Sequence, residues 1–178
     1  APRTVTVNES GATLQVSTPQ WSLAFDKASG FLNSLESGRQ SWLQSGPRLQ
    51  LWRGPIDNDG IKVRPRPGGM LEIWQGLGLD KVVLRLDSIK AIRKGGQAIG
   101  IRTVHRATGR NKWSDFTHEQ LFEILRDGDI RVANQFHFGT LPVDVPRLGV
   151  TLALPPGFEQ VRWFGRGPGE NYSDRKVS

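Results

Sequence analysis

Apolar and polar residues alternate with a period of two along most of the chain, the spacing that sends one face of a β-strand into a core and the other into water. Residues 4–7 and 13–17 alternate cleanly around the turn-forming Glu9-Ser10-Gly11. Residues 21–26 follow, and Lys27-Ala28-Ser29-Gly30 turns them into 31–35, a hairpin signal. Residues 47–53 read as another strand. Residues 81–92 and 97–108 predict two long strands joined at Lys94-Gly95-Gly96, and 116–125 and 130–138 a similar pair around Arg126-Asp127-Gly128-Asp129. In the last of these, Ile130, Val132, Phe136 and Phe138 share one face, with Arg131, Ala133, Gln135 and His137 on the other. Residues 148–154 and 160–164 finish the series around Pro155-Pro156-Gly157.

One stretch has helical spacing. Met70, Ile73, Trp74 and Leu77 fall at i, i+3, i+4 and i+7, and Gly76 and Gly78 stop the run within about two turns. The 11 prolines and 21 glycines sit mostly between the alternating runs, where sandwich turns need them. The expectation is an all-β fold: one antiparallel β-sandwich domain over residues 1–178, with a single short helix near 70–77.

Composition narrows the function classes. With no cysteine, a disulfide framework, a Cys-ligated zinc and a thiol nucleophile are excluded. No run of about 18 apolar residues exists, so no membrane span is predicted. Ala1-Pro2-Arg3-Thr4 lacks the apolar core of a signal peptide, and Ala1 points to a piece of a longer chain. The net charge of +7 invites a nucleic-acid reading. Its distribution argues against one: the arginines are scattered singly, the densest group is Lys62-Val63-Arg64-Pro65-Arg66, and no aromatic-basic platform accompanies them.

Four stretches carry candidate chemistry. A strand runs into Arg53-Gly54-Pro55-Ile56-Asp57-Asn58-Asp59-Gly60. Asp57 and Asp59 suit a hard cation or sugar hydroxyls, yet calcium-loop spacing fails because Ile61 and the early Gly60 break it. The plainer reading has these side chains capping backbone N–H groups, with Arg53 neutralising them. Residues 60–69 are glycine-bounded, charged and without apolar period, as expected of an exposed connector or of a lid. Residues 162–175 hold Gly165-Arg166-Gly167, but Pro168-Gly169-Glu170-Asn171 opens no amphipathic helix, so a dinucleotide fingerprint is rejected. A carboxylate–guanidinium network of Glu170, Asp174 and Arg175 fixing that turn fits better. Tryptophans 21, 42, 52, 74, 113 and 163 suit sugar rings, although packing is their first use in a sandwich.

His105, His118 and His137 lie in strand segments without ligand-spaced partners, so no metal site is predicted. No Ser-His-Asp arrangement with a nucleophile elbow occurs. A retaining glycosidase needs two carboxyls about 5 Å apart, and nothing in the sequence singles out such a pair.

The run Leu51-Trp52-Arg53-Gly54-Pro55-Ile56-Asp57-Asn58-Asp59 closely resembles the W-R-A-P-x-D-N-D signature of the small-chain, C-terminal domain of large LacZ-type bacterial β-galactosidases, glycoside hydrolase family 2. Upstream, Phe25-Asp26-Lys27-Ala28-Ser29-Gly30-Phe31-Leu32 is similar to the family's F-D-x-x-x-G-x-L hairpin. Downstream, Pro146-Arg147-Leu148-Gly149 resembles its P-R-x-G strand entry. Residues 163–175 resemble W-x-G-x-G-P-x-E-N-Y-x-D-R, which adds Asn171 and Tyr172 to the motif network of Arg53, Glu170, Asp174 and Arg175. Gly54 departs from the usual alanine.

The resemblance implies a galactose-mutarotase-like supersandwich, incomplete at its C-terminal end. It implies a parent that cleaves terminal β-galactosides with retention, using two glutamates on a (β/α)₈ barrel outside this segment. No catalytic residue is carried over, because the pocket-lining tryptophan of the family lies beyond Ser178. The loop after the Asp-Asn-Asp motif lies near the barrel mouth in the family. Asp57, Asn58, Asp59, Gly60, Lys62 and Arg64 are therefore the substrate-proximal candidates. No cofactor is expected in this chain, since the magnesium and sodium of the family bind outside this segment. The implied partners are the barrel, the remaining domains and a galactoside, in a cytoplasmic, homo-oligomeric parent, with no nucleic acid and no membrane.

The leading reading is thus a non-catalytic domain that packs on a barrel and completes its site, which predicts exposed apolar surface where the rest would dock. A carbohydrate-binding module gripping galactosides through Trp52 or Trp74 and the Asp57/Asp59 loop is the second reading. An aldose epimerase, by fold analogy, is the third.

Overall fold

A computed structural model describes residues 5–59, 69–94, 98–125, 127–141, 144–162 and 164. Strands β1 (Thr6–Ser10), β2 (Thr13–Ser17), β3 (Ser22–Asp26), β4 (Leu32–Ser37) and β5 (Gln40–Ser41) form a five-stranded sheet in chain order. A second sheet holds β7 (Val82–Lys94), β8 (Ala98–Gly109), β9 (Phe116–Leu125) and β10 (Ile130–His137), also in chain order. Strand β6 (Ser45–Gln50) pairs with the distant β11 (Gly149–Ala153). Every pairing is antiparallel. The fold is all-β, as the period of two predicts. Among the described residues no helix is long and apolar enough to cross a membrane.

The turns form where local chemistry satisfies the backbone. After β3, the Asp26 carboxylate accepts from the backbone N–H of Ala28 and of Ser29, both at 3.1 Å, and from Ser29 Oγ at 2.5 Å. Gly30 completes the hairpin at φ +73°, where an added Cβ would collide with Leu86 Cδ1. The first hairpin corrects the sequence expectation. Strand β1 continues through Glu9 and Ser10, and the turn is Gly11-Ala12, because Gly11 takes φ +48°. The strand expected at 160–164 also does not form: residues 160–162 and 164 pair with no strand, and Trp163 lies outside the described residues.

The short helix α1 (Met70–Gly76) forms where the apolar spacing placed it. Gly69 at its N-cap contributes no side-chain hydrogen bond, so packing rather than propensity holds it. Trp74 is buried on its inner face, and the indole Nε1 of Trp113 donates to the carbonyl of Leu77 at 2.8 Å, satisfying one orphan acceptor of the helix end.

Two apolar cores lie along the inner face of the four-stranded sheet. In the first, Leu14, Val16, Leu23, Phe25 and Leu32 of the five-stranded sheet meet Ile101, Phe122 and Ile124. Phe25 meets Phe122 edge to face, centroids 5.0 Å apart. In the second, Ala107, Phe116 and Trp113 pack on Leu49, Leu51, Trp74 and Leu79. Parity explains the arrangement, since residues 101, 103, 105 and 107 of β8 and 116, 118, 120, 122 and 124 of β9 all point inward. Between the cores, that same parity buries a polar belt of Thr103, His105, His118 and Gln120.

Candidate functional site

The chain leaves β6 through the buried Leu51 and the half-buried Trp52, and Arg53 then turns back onto the loop it opens. Its Nη1 reaches Asp59 Oδ2 at 2.6 Å and its Nη2 reaches Oδ1 at 3.0 Å, a bidentate pair. Nε donates to the carbonyl of Pro146 at 3.1 Å, and Nη1 also donates to that of Gly54. The guanidinium lies over the Trp74 ring, 5.5 Å from its centroid, and Trp74 Nε1 donates to the carbonyl of Asp144 at 2.9 Å. One arginine thus ties the exit of β6, helix α1 and the approach to β11.

Asp59 ends a single 3₁₀ turn (Asp57–Asp59) and is buried. Its backbone N–H donates to Ile56 O at 2.9 Å, while its Oδ2 accepts from the Ile56 N–H at 2.8 Å. The Arg53 hydrogen bonds hold its carboxyl below the ordinary range, outweighing the opposing effect of burial, with the Ile56 N–H and the Arg53 charge adding to the lowering. Both oxygens of Asp59 are engaged in this turn. Ile56, Asp57 and Asn58 stand exposed at the loop tip. The sequence candidates therefore separate by position: Arg53 and Asp59 form the frame, and Asp57 and Asn58 face outward. Gly60, Lys62 and Arg64, the lid stretch 60–68, and Glu170, Asn171, Tyr172, Asp174 and Arg175 lie outside the described residues.

The polar belt holds the other chemistry-bearing groups. His105 and His118 are register partners on β8 and β9, and both are buried. His105 Nε2 donates to Ser29 O at 2.8 Å, and Phe31 stacks on the ring at 4.6 Å. His118 Nε2 donates to Asn134 Oδ1 at 2.9 Å, an oxygen that also accepts from Gln120 Nε2, and Phe136 covers this ring at 4.7 Å. Burial pushes both imidazoles below the ordinary histidine range. Among the described residues, His105 Nδ1 and Thr103 Oγ1 are buried without hydrogen-bond partners. Neither buried histidine is hydrogen-bonded to a carboxylate among the described residues, and His137 is exposed. Each histidine considered singly conceals the belt; the inward parity shared with Ile101 and Ala107 is the signal that reveals it.

No three His, Asp or Glu side chains converge as a metal site among the described residues. Of the tryptophans offered for sugar stacking, Trp74 is buried with Arg53 over its ring, and Trp52 is half-buried. The exposed Trp42 packs instead against Trp21 and Phe158.

Fold and loop together define an all-β sandwich domain whose acidic loop is clamped by an arginine from its own strand exit. The family model for the beta galactosidase small chain matches residues 17–178, and the chain belongs to that family. It is 27% identical over 174 residues to the beta-galactosidase of Priestia megaterium, covering 97% of this chain and 16% of that protein. It is 31% identical over 150 residues to that of an Arthrobacter species, covering 73% and 14%, and 29% identical over 179 residues to that of Lactococcus lactis, covering 97% and 17%. The chain thus spans about one sixth of the length of these curated relatives.

Proposed function

We propose that residues 1–178 form one non-catalytic domain of a β-galactosidase, which packs on a catalytic barrel and helps shape its active site. In this reading the parent hydrolyses terminal, non-reducing β-D-galactosides with retention, and its two catalytic carboxylates and its magnesium and sodium sites belong to other segments. The observation that carries the reading is the family match over 17–178 in a chain one sixth as long as its relatives. The Arg53–Asp59 clamp supports it, because a fixed frame presents Asp57 and Asn58 at an exposed tip immediately before the 60–69 segment. Those two side chains, with Gly60, Lys62 and Arg64, are the groups assigned to the substrate side. We place the parent in the cytoplasm as a homo-oligomer, the first on the cysteine-free composition and both on the family.

The test is hydrolysis of a chromogenic β-galactoside by this chain, alone and mixed with a barrel-bearing fragment of the parent. Inactivity alone with recovery on mixing is the expected result. Turnover by the chain alone would overturn it. A carbohydrate-binding module remains the second reading, and a shift of tryptophan fluorescence at millimolar galactose would favour it.

A further inference from the structure

Strand β8 turns Thr103 and His105 inward two residues apart, into the middle of the sandwich, where they are 0% and 1% exposed. The carbonyl of Ser29 has no proton to give, so the 2.8 Å bond to it requires the imidazole proton on Nε2. Burial favours the neutral ring, and a neutral ring protonated at Nε2 presents a bare lone pair at Nδ1. Among the described residues no donor meets that lone pair, and the hydroxyl of Thr103 has no partner either. An acceptor and a hydroxyl thus lie unpaired on one inner row, where unsatisfied polar atoms are costly.

The chemistry of the pair selects what can satisfy it. A lone pair repels an anion. A cation would need an anionic ligand, and Asp87, the carboxylate that acts on His105 through space, is held by Arg106 at 2.8 and 3.1 Å. A neutral molecule that both donates and accepts is left, and the near-zero exposure of both residues demands a small one. Residues two apart on a strand are separated by about 7 Å, a gap that one water spans at about 2.8 Å from each polar atom. Register sets Leu86 and Ile89 of β7 on one side of the pair and His118 and Gln120 of β9 on the other. Gln120, the register partner of Thr103 and 2% exposed, is a further polar side chain alongside, and interior waters typically make about three hydrogen bonds.

We propose that Thr103 Oγ1 and His105 Nδ1 form a binding site for one internal water molecule, which donates to Nδ1 and bridges it to the hydroxyl. The water completes the belt between the two cores. With Ser29 O accepting from Nε2 and water donating to Nδ1, both ring nitrogens are engaged and the tautomer is fixed. The site goes beyond the galactosidase reading and belongs to this domain whatever its parent hydrolyses.

The experiment counts long-lived internal waters in the full 178-residue chain by oxygen-17 magnetic relaxation dispersion, which senses water oxygen and not exchangeable protons. The nitrogen-15 shift of His105 Nδ1 is read beside it. The wild-type chain should show a hydrogen-bonded Nδ1, and Thr103→Val should lose one internal water and free that nitrogen. Thr103→Val should also lower the thermal midpoint by about 2–4 °C, although it is nearly isosteric, because it strips the water of a partner. Thr103→Ser, which keeps the hydroxyl, should keep the water, so the count stays informative if the valine variant does not fold. A wild-type Nδ1 with the shift of an unbonded nitrogen would overturn the site. So would an unchanged or raised midpoint in Thr103→Val, the result expected when an unpaired buried hydroxyl is replaced by a methyl. A hydrogen-bonded Nδ1 with the same water count in wild type and Thr103→Val would mean a direct bond from the hydroxyl, and would equally overturn the inference.

Discussion

His105 and His118 sit opposite each other across the β8–β9 ladder, both buried, and each donates one N–H to a carbonyl oxygen. Two neutral imidazoles separate the apolar cores, and neither core offers them a counter-charge. The charged groups acting on His105 are Asp87, which favours its cation, and Arg48, which opposes it, while His105 itself opposes the cation of His118. Burial is the largest influence on both.

Acid should therefore unfold this protein early. A histidine whose folded pKa lies below its unfolded value of about 6.5 costs no stability at higher pH. Stability is lost as pH falls below that unfolded value, since only the unfolded chain then takes up the proton. Two such groups give a slope approaching about 2.7 kcal/mol per pH unit. The lowered carboxyls of Asp26, Asp59, Asp115 and Glu119 lose their contribution only at more acidic pH, near and below their own unfolded range. Urea unfolding between pH 7.5 and 5 isolates the histidines. His118→Gln, which retains an N–H donor, should remove about half of the slope.

The Arg53–Asp59 pair should behave as one unit. Arg53→Ala leaves a buried carboxylate uncompensated and should cost about 3 kcal/mol, and Arg53→Lys should recover only part because it loses the fork. Asp59→Asn should be milder. A double-mutant cycle in urea should return a coupling energy of about 1–3 kcal/mol. Additivity would show that the clamp contributes nothing beyond packing.

Trp74→Phe keeps an aromatic ring under Arg53 but loses the bond to the carbonyl of Asp144. The expected loss is about 1–2 kcal/mol by chemical denaturation, with the acceptor of Asp144 left short of a donor.

Gly30→Ala should be more harmful than a surface glycine substitution. The position combines φ +73° with a Cβ site 3.1 Å from His105 Nε2 and in collision with Leu86. A loss of more than about 1 kcal/mol is expected, while Gly54→Ala, whose Cβ site meets nothing within 4 Å, should be nearly neutral.

Asp57 and Asn58 are exposed, so their paired replacement by alanine should leave the unfolding midpoint of the chain within about 0.5 kcal/mol of wild type. In the recombined enzyme the same pair should raise KM for a galactoside. Unchanged kinetics would remove these residues from the substrate side.

Much of this molecule was legible along the chain. The strands expected at 97–108 and 116–125 form as β8 and β9, because a pleat has a period of two and needs no knowledge of what it packs against. The i, i+3, i+4, i+7 spacing likewise placed α1, and Asp26 with Gly30 placed the hairpin. The motif order identified the family before any geometry was known. Elsewhere, local pattern and three-dimensional outcome diverged. Residues 160–164 alternate as a strand should, yet 160–162 and 164 lie outside every ladder, because a strand exists only where a neighbouring edge receives it.

Sequence by itself determined the class of fold, the family and the identity of the acidic loop, since each depends on residues close together in the chain. The pairing of Arg53 with the acidic loop was legible as well, whereas only the tertiary structure decided that Arg53 would also reach Pro146 and Trp74, that His105 would lie against Ser29 and Phe31, and that the apolar side of β11 would be left open. The contacts of Arg53 with Pro146 and Trp74, and of His105 with Ser29 and Phe31, join residues 21 to 93 positions apart. Nothing local specifies them; they follow from which sheet edges and faces come together once the two cores close.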